Sequence, residues 1–477
     1  MNRKPAPATD FAAATLGSGT RLATDWPGAA KCTPGFLLSK DLLIERSRRL
    51  APLPLAGNAI DDLLDGIPEG EVARRRGLGP AAIRAIATYY RLLKPGAPGE
   101  IVPIDAPGVR CRSLVDPPVV LRHLVGAARP DVAEDYELPD GAAILAAIER
   151  SGLRGRGGAA FPTAAKWRTA RDTPAADRIV VANGDEGDPG SFVDRLLLEE
   201  DPHAVLAGMV ACARVIGASR GFVYIRGEYP RARAIMIGAV QEARAAGWLG
   251  AGFDVEVISG AGSYVCGEET ALLRSIVGLR GEPTPKPPYP AERGLFGLPT
   301  VVQNVETLAI VPWIARTGRG SGTKAFSVSG AVPAAVVEAP LGTPLSRVLG
   351  SGPPTGNPWK MALVGGPMGR VLPAAAFDTP LSYDALPGLG HGGIVVYDTS
   401  PSVRDLAQEL FAFAQAESCG NCTPCRVGTA QLAGRHDRDG LLRLLDTLER
   451  GSLCGFGQGV PRPIRDLLNH FGDKVFA

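Results

Sequence analysis

Apolar positions along the chain repeat with two different periods, and the changes between them divide it into four stretches. The first is helical: Ile60, Leu63 and Leu64 form one short amphipathic piece, and Ala82, Ile86, Tyr89, Tyr90 and Leu93 mark a second, stopped by Pro95, Gly96, Pro98 and Gly99. Ahead of it, residues 1–35 are rich in Ala, Gly, Pro and Thr, a composition that predicts poor order. The second stretch opens with a Pro-Pro loop and the helix DGAAILAAIERSG, whose Ile144, Leu145 and Ile148 share a face. A continuous apolar run, RIVVAN, then predicts a buried strand. It is followed by a helix over 203–216, the strand GFVYI, a helix over 230–246 and the strand DVEVIS, and this alternation predicts right-handed β-α-β crossovers in a parallel sheet.

From 320 to 398 the texture changes to short strands, FSVSGAV, KMALVGG and GGIVVYD, with one helical piece near 344–349. That pattern suits a small module of β-grasp type. Helical periodicity returns over 401–416, 426–434, 438–450 and 461–470, a small bundle. The expected fold class is therefore α/β. Its expected divisions are an N-terminal extension (1–109), a Rossmann-like domain (110–319), the β-grasp module (320–398) and a helical C-terminal domain (399–477).

Composition removes some functions without choosing one. The 477 residues are 45% hydrophobic and 21% charged, as in ordinary globular proteins. The 51 basic and 49 acidic residues leave a net charge of +2, which gives no electrostatic case for nucleic acid or an anionic membrane. The N-terminal stretch MNRKPAPATDFAAATLGSG lacks the apolar region of a secretory signal. The most apolar long stretch, 203–225, is interrupted by Arg214 and Arg220, so direct membrane insertion is not expected and a cytoplasmic location is.

The sharpest local signal is ESCGNCTPCRVG. Cys419, Cys422 and Cys425 recur every third residue, so a loop entering a helix can aim three thiolates at one point. Cys454, in GSLCGFGQGVP, follows after an interval long enough for a helix to leave and return. Four convergent thiolates suit an iron–sulfur cluster. Structural zinc takes the same donors but usually from two separate pairs, whereas the split here is three plus one. Disulfides are disfavoured by the crowding of three thiols and by the absence of any export signal. Cys32, Cys111 and Cys212 have no partner in the pattern, and Cys266 reads as packing. His123, His203, His391, His436 and His470 show no paired metal spacing.

Glycine supplies the second kind of signal. In GLRGRGGAAFPTAAKW, Gly155, Gly157 and Gly158 expose main-chain N–H groups around Arg156, a nest suited to phosphate or to a flat ring lying on the backbone. GRGGAA formally fits a dinucleotide fingerprint. However, a helix precedes it where a strand belongs, and Pro162 follows closely, so a structural glycine turn is the competing reading. Asn183, Asp185 and Glu186 stand at the carboxyl end of RIVVAN, where open α/β sheets bind ligands, although an acidic turn there also needs no ligand. GAGSYVCGEETALLRSI reads as glycine loop then helix, with Glu268 and Glu269 in the first turn, placed for ribose hydroxyls or simply for the helix dipole. Residues 281–305 read as a long Pro-rich loop carrying Lys286 and Tyr289, after which Gln303 and Asn304 begin a helix able to hold a phosphate.

Taken together, RGRGGAAFPTAAKW, NGDEGDPGSF, GAGSYVCGEETALLRSI, KPPYPAERGLFGLPTVVQNVETL, ESCGNCTPCRVGT and LCGFGQGVP resemble the flavoprotein (51 kDa-type) subunit of NADH:ubiquinone oxidoreductase and its soluble relatives, over about 110–477. The resemblance implies FMN bound by the first glycine block with Asn183, Asp185, Tyr264, Gly267, Glu268 and Asn304. It implies NADH over the flavin, with Phe161, Lys166, Glu186, Glu269, Lys286 and Tyr289 around it, and a 4Fe-4S cluster on Cys419, Cys422, Cys425 and Cys454. Hydride from NADH would reach the flavin and leave as single electrons through the cluster, with Glu268 orienting nicotinamide, Asp185 on the flavin edge and Lys166 supplying positive charge. The middle module resembles the family's soluble-ligand-binding β-grasp (SLBB) domain.

The family usually has Gly, Phe and Asn where Ala160, Tyr289 and Gln303 stand. Ala160 adds one methyl and Tyr289 keeps a stacking face, while Gln303 alters one contact to the flavin phosphate. The short interval between Cys425 and Cys454 and the tail LLNHFG are similar to the diaphorase subunits of soluble NAD-dependent formate dehydrogenases or hydrogenases, and the formate dehydrogenase is the reading chosen. Complex I and NAD-reducing hydrogenases are the alternatives, and a non-catalytic iron–sulfur adaptor is the alternative of another class. Implied partners are the smaller, thioredoxin-like 2Fe-2S subunit of such complexes and a large iron–sulfur or catalytic subunit. PEGEVARRRGLGPAAIRAIATYYRLL resembles the helical part of that 2Fe-2S subunit, and no cluster is assigned to it.

Overall fold

The computed structural model describes residues 59–79, 83, 86, 109–125, 138–320, 322–350, 352 and 357–476. The expectation of poor order for 1–35, and most of the second N-terminal helix, lie outside these residues. The first N-terminal piece is the helix α1 (Ala59–Leu64), followed by α2 (Glu69–Arg76). Ile83 and Ile86 are helical and buried.

The nucleotide half is built on four parallel strands in the order β4-β3-β2-β5: β2 (Ile179–Gly184), β3 (Arg220–Ile225), β4 (Asp254–Ser259) and β5 (Thr300–Asn304). Strand β2 lies inside the sheet and is covered on both faces, which is why its apolar run is continuous and not alternating. Its last residues, Asn183 and Gly184, face Asn304 of β5 and Ile225 of β3 in register. Strand β5 corrects the sequence expectation: 281–305 is not one loop, and Gln303 and Asn304 do not begin a helix. TVVQN is a fully buried strand whose last residue, Asn304, caps α9 (Val305–Thr317). Preceded by a proline-rich run and ending in the amide pair Gln303 and Asn304, it reads from sequence as loop and helix start.

Helices cover both faces of this sheet. On one side are α3 (Gly141–Ser151), α4 (Thr163–Asp172), α5 (Val193–Glu200), α6 (Pro202–Ile216), α7 (Pro230–Ala245) and α9, in a cluster with Val180, Ala182 and Val223. Helices α6 and α9 touch backbone to backbone at Gly208, where a Cβ would lie 2.1 Å from the Leu308 carbonyl oxygen. On the other side Ile179, Val181, Phe222 and Ile258 share a cluster with Leu272 and Ile276 of α8 (Glu269–Ile276) and with Ile60, Val72, Ile83 and Ile86 of the N-terminal segment. Helix α5 was not anticipated from the sequence.

A second, mixed sheet has the order β1-β7-β6-β10-β8-β9. Its strands are β1 (Arg110–Ser113), β6 (Thr323–Gly330), β7 (Ala335–Pro340), β8 (Trp359–Val364), β9 (Arg370–Pro373) and β10 (Gly393–Asp398), with helix α10 (Leu345–Leu349) after β7. Strands β6 and β10 run parallel, as do β1 and β7, and the remaining neighbours are antiparallel. Glu338 of β7 accepts the N–H groups of Val119, Val120 and Leu121 and the Thr323 hydroxyl, closing the segment after β1 onto this sheet.

The C-terminal helices are α11 (Val403–Glu417), α12 (Thr423–Gln431), α13 (Arg438–Gly451), α14 (Gly455–Gly459) and α15 (Pro461–Phe471). Four were expected within a few residues. The short, glycine-rich α14 was not. Ser402 and Asp405 make a capping box that starts α11. Arg370 of β9 grips Asp466 of α15 with two bonds of 2.7 and 2.9 Å and so fixes the bundle to the mixed sheet. No helix among the described residues is long and apolar enough to cross a membrane.

Candidate functional site

The carboxyl ends of β2 and β5 and the glycine segments converge. Gly155 N–H donates to the Phe161 carbonyl at 2.9 Å, and Arg156, almost fully buried, donates its N–H to the Thr307 hydroxyl at 2.8 Å. Gly157 packs so closely on Asn304 that a Cβ would lie 2.9 Å from the Asn304 Cβ. Gly158 has φ +101°, a conformation that favours glycine. Ala160 has φ 51°, so its methyl is not simply tolerated as the sequence suggested: it sits in the left-handed region at a cost of about 1–2 kcal/mol. Gln303 turns inward and accepts from the Trp167 indole N–H at 3.3 Å, close to the Gly155 turn. Asn304 accepts the Thr307 N–H at the start of α9 and donates to Asp194 at 2.7 Å.

At the end of β2, Asn183 donates to the Gly267 carbonyl at 2.9 Å and accepts the Asp185 N–H at 3.1 Å. Burial pushes the Asp185 carboxyl up to about 7 even though Arg226 opposes it, and its Oδ2 is buried without a hydrogen-bond partner. Glu186 is fully buried. It accepts the N–H groups of Val193, Asp194 and Arg195 at 2.7, 3.2 and 3.1 Å, so it caps α5 and does not line an open cleft, while burial raises it to about 7. Asp188 is raised to about 6 by burial despite accepting from the Tyr264 hydroxyl at 2.6 Å.

A second group is half-open. Glu268 caps α8 by accepting the N–H groups of Thr270 and Ala271, both at 3.0 Å, and Glu269 is the first residue of that helix. Lys286 reaches both carboxylates, at 2.7 and 2.8 Å, while Lys166 reaches Glu269 at 3.2 Å and the Val302 carbonyl at 3.1 Å. Burial would raise the Glu269 carboxyl, but Lys166 and Lys286 outweigh it and hold it below the usual range. Phe161 and Tyr289, on the segments before Lys166 and after Lys286, are about half exposed. Two bare aromatic faces beside two cations and two carboxylates can receive a heteroaromatic polyol phosphate.

The cysteines close the site. Cys419 follows α11, Cys422 caps α12, Cys425 lies in its first turn and Cys454 caps α14. None is in a disulfide. Burial and the neighbouring thiols push Cys419 to about 11 and Cys425 to about 12, despite opposing hydrogen bonds. Leu453 N–H points at the Cys422 sulfur at 3.5 Å, and Ser418 Oγ lies 3.4 Å from that of Cys425. This loop is tied to the nucleotide half: Arg280 donates to the Cys419 carbonyl, Asn421 donates to the Pro283 carbonyl at 2.9 Å, and Cys419 packs on Val265 and Ala271. Burial raises the Cys454 thiol, and the Glu268 carboxylate is among the charges that add to it. Tyr264 spans the junction, its N–H on Glu417 at 3.1 Å and its ring 5.2 Å from Phe413 and 5.6 Å from Phe456.

These residues fit a flavin and a metal cluster. The orphaned Asp185 oxygen asks for a donor such as a heterocycle N–H, the turn leaves no room for a side chain at Gly157, and four crowded thiols ask for metal. Sequence reasoning missed Thr307, Asp188, Asp194, Arg226, Glu306 and Lys324. Thr307, Asp188 and Glu306 lie inside quoted blocks, while Arg226 and Lys324 had no local signal.

Residues 148–313 match the family described as the Nuo51 FMN-binding domain, and residues 405–477 match the NADH-ubiquinone oxidoreductase-F iron-sulfur binding region. The chain is 39% identical over 399 residues to the NADP-reducing hydrogenase subunit HndC of Solidesulfovibrio fructosivorans, covering 76% of this chain and 80% of that one. It is 37% identical over 377 residues to the mitochondrial NADH-ubiquinone oxidoreductase 51 kDa subunit of Neurospora crassa, covering 70% and 76%. Among solved structures, an air-oxidized NAD+-reducing [NiFe]-hydrogenase matches with a TM-score of 0.77 at 30% identity, over 88% of this chain and 92% of that one.

Proposed function

The chain belongs to the family of NADH dehydrogenase flavoprotein subunits, and from that premise we propose how its residues divide the work. It is an NADH-dependent oxidoreductase that uses FMN and an iron–sulfur cluster. Bound FMN supplies the conversion between a two-electron hydride donor and a one-electron cluster; the protein supplies position and field.

Asp185 and Asn183 hold the flavin ring edge, with Gly267 and Tyr264 beside it. The Arg156 side chain, the N–H groups of Gly157 and Gly158 and the Asn304 amide hold its phosphate, while the Gly155 and Arg156 N–H groups, bonded to Phe161 and Thr307, set the shape of the turn. Phe161 and Tyr289 stack on NADH. Glu268, Glu269, Lys166 and Lys286 orient it by exchanging their mutual pairs for ribose and carboxamide contacts, and Glu186 acts from below through the start of α5. Cys419, Cys422, Cys425 and Cys454 hold a 4Fe-4S cluster.

The observation that carries the reading is the junction itself: Cys419 packs on Val265 and Ala271, in the loop and helix that carry Glu268, so an electron leaving the nucleotide site has the cluster next to it. Cys422→Ser tests it. FMN content and NADH:ferricyanide activity should remain while reduction of a partner's cluster stops. Equal loss of both activities in a folded, FMN-loaded variant would refute the division.

We propose that the chain serves a soluble, cytoplasmic NAD-dependent formate dehydrogenase, with a thioredoxin-like 2Fe-2S subunit and a large catalytic subunit as partners; the short interval between Cys425 and Cys454 supports a soluble complex of the formate dehydrogenase or hydrogenase kind over a respiratory one. An NAD(P)-reducing hydrogenase is the second reading, favoured by the names of two relatives. Molybdenum in the co-purified partner supports the first and nickel the second. The division at 110, 320 and 399 is retained as a functional one. The β7-β6-β10-β8-β9 order with α10 after β7 supports an SLBB-type β-grasp module at 320–398.

A further inference from the structure

A buried cation ties the mixed sheet to α9 and to the glycine turn. Lys324, the second residue of β6, has no solvent exposure, and its Nζ lies 2.6 Å from Glu306 Oε2 in the first turn of α9. The same Nζ donates to the Arg156 carbonyl at 3.2 Å. Glu306 Oε1 accepts the Ala325 N–H at 2.8 Å, so β6 is fixed to α9 by both carboxylate oxygens. Thr307 accepts the N–H of Arg156. Both backbone polar groups of Arg156 are thereby held from outside the glycine turn, its N–H by α9 and its C=O by the mixed sheet.

A turn rich in glycine has wide conformational freedom and loses much of it on ordering, so it orients its N–H groups toward an anion only if something else fixes it. A neutral donor would hold the carbonyl equally well. A buried lysine is expensive to desolvate, and an apolar pair of the same volume is often at least as stable as a buried ion pair. The charge therefore points to a role besides packing. Burial raises the nearby Asp194 carboxyl well above its ordinary range, which favours its neutral form, so Arg156 and Lys324 face fewer ionised carboxylates than the residue count suggests.

We infer that Lys324 is a positioning residue for the FMN phosphate: from the mixed sheet it fixes the Arg156 carbonyl and so the direction in which the glycine turn presents its remaining N–H groups, with Glu306 and Thr307 completing the brace. This rests on the assignment of the phosphate to the 155–158 turn.

The test uses the full chain stripped of flavin and titrated with FMN and with riboflavin, which lacks the phosphate. Lys324→Met with Glu306→Gln removes the cation without leaving a buried unpaired charge. FMN affinity should fall about tenfold or more, and riboflavin affinity by less than about twofold. A brace that is merely structural would weaken both flavins alike, and that result, or an unchanged preference for FMN, overturns the role of Lys324. Thr307→Val loosens the other side of the same residue and should give the same FMN-selective loss; if the double variant does not fold, wild-type FMN binding by Thr307→Val overturns the proposal. Equal affinity of the unaltered chain for both flavins sinks the phosphate assignment itself and is seen before any variant is made.

Discussion

Lys286 lies 2.7 Å from Glu268 and Lys324 lies 2.6 Å from Glu306, yet the first pair keeps 28% and 20% of its side chains exposed and the second keeps none. Length therefore says little about what either pair does. In the half-open cleft, water and ligand compete for each charge, so Lys286 can leave one carboxylate for another or for a bound nucleotide at small cost. Beneath the glycine turn nothing can replace the partner, and the pair acts as a fixed part of the scaffold. The difference separates residues that can exchange partners during turnover from residues that must not.

Four measurements bear on that contrast. The largest effect is expected from Lys324→Met alone, which leaves Glu306 buried and unpaired and should lower stability by about 3–5 kcal/mol in denaturant titrations. A loss under about 1 kcal/mol would place this pair with the exposed ones. Next comes pH. Asp185 has a folded value of about 7 against an ordinary 3.8, so the folded state binds more protons between those values, and its contribution is present at low pH and lost as pH rises through about 7. Asp185→Asn should therefore stabilise the flavin-free chain by a few kcal/mol more at pH 8 than at pH 4; a pH-independent difference would show the carboxyl ionised throughout.

Glu269, held low by its lysines, has the opposite sign: its contribution is present above 4.5 and lost as pH falls through its folded value. The smallest stability effects belong to the cleft. Lys286→Met should change stability by less than about 1 kcal/mol while raising the KM for NADH several-fold. Glu268→Gln, which keeps its capping oxygen, should alter NADH turnover with the cluster EPR signal retained. Unchanged kinetics would remove that residue from the site.

Legibility in the sequence followed the range of the contacts. Cys419, Cys422 and Cys425 were readable because a single loop and helix start bring them together, and β2 because burial on both faces leaves an unbroken apolar run. Strand β5 was hidden by the proline-rich run before it, which also misplaced Gln303 and Asn304. Glu186 was expected beside NADH, but its three backbone partners seven to nine residues on turn it inward. Lys324 was the least visible. In a short strand a lone lysine reads as a solvent-facing position, and nothing nearby announces partners 18 and 168 residues away.

Strand β1 has a consequence for how the chain is made. Arg110 pairs with Ala335, so β1 leaves the ribosome and then waits for roughly 220 further residues before its neighbour exists, on the order of 10–45 s at 5–20 residues per second. During that interval the whole flavin-binding sheet is synthesised between the two partners. The order of synthesis thus gives the nucleotide half time to form first, while the mixed sheet closes around it late. A gene fragment beginning at 320 would encode that sheet without its first strand.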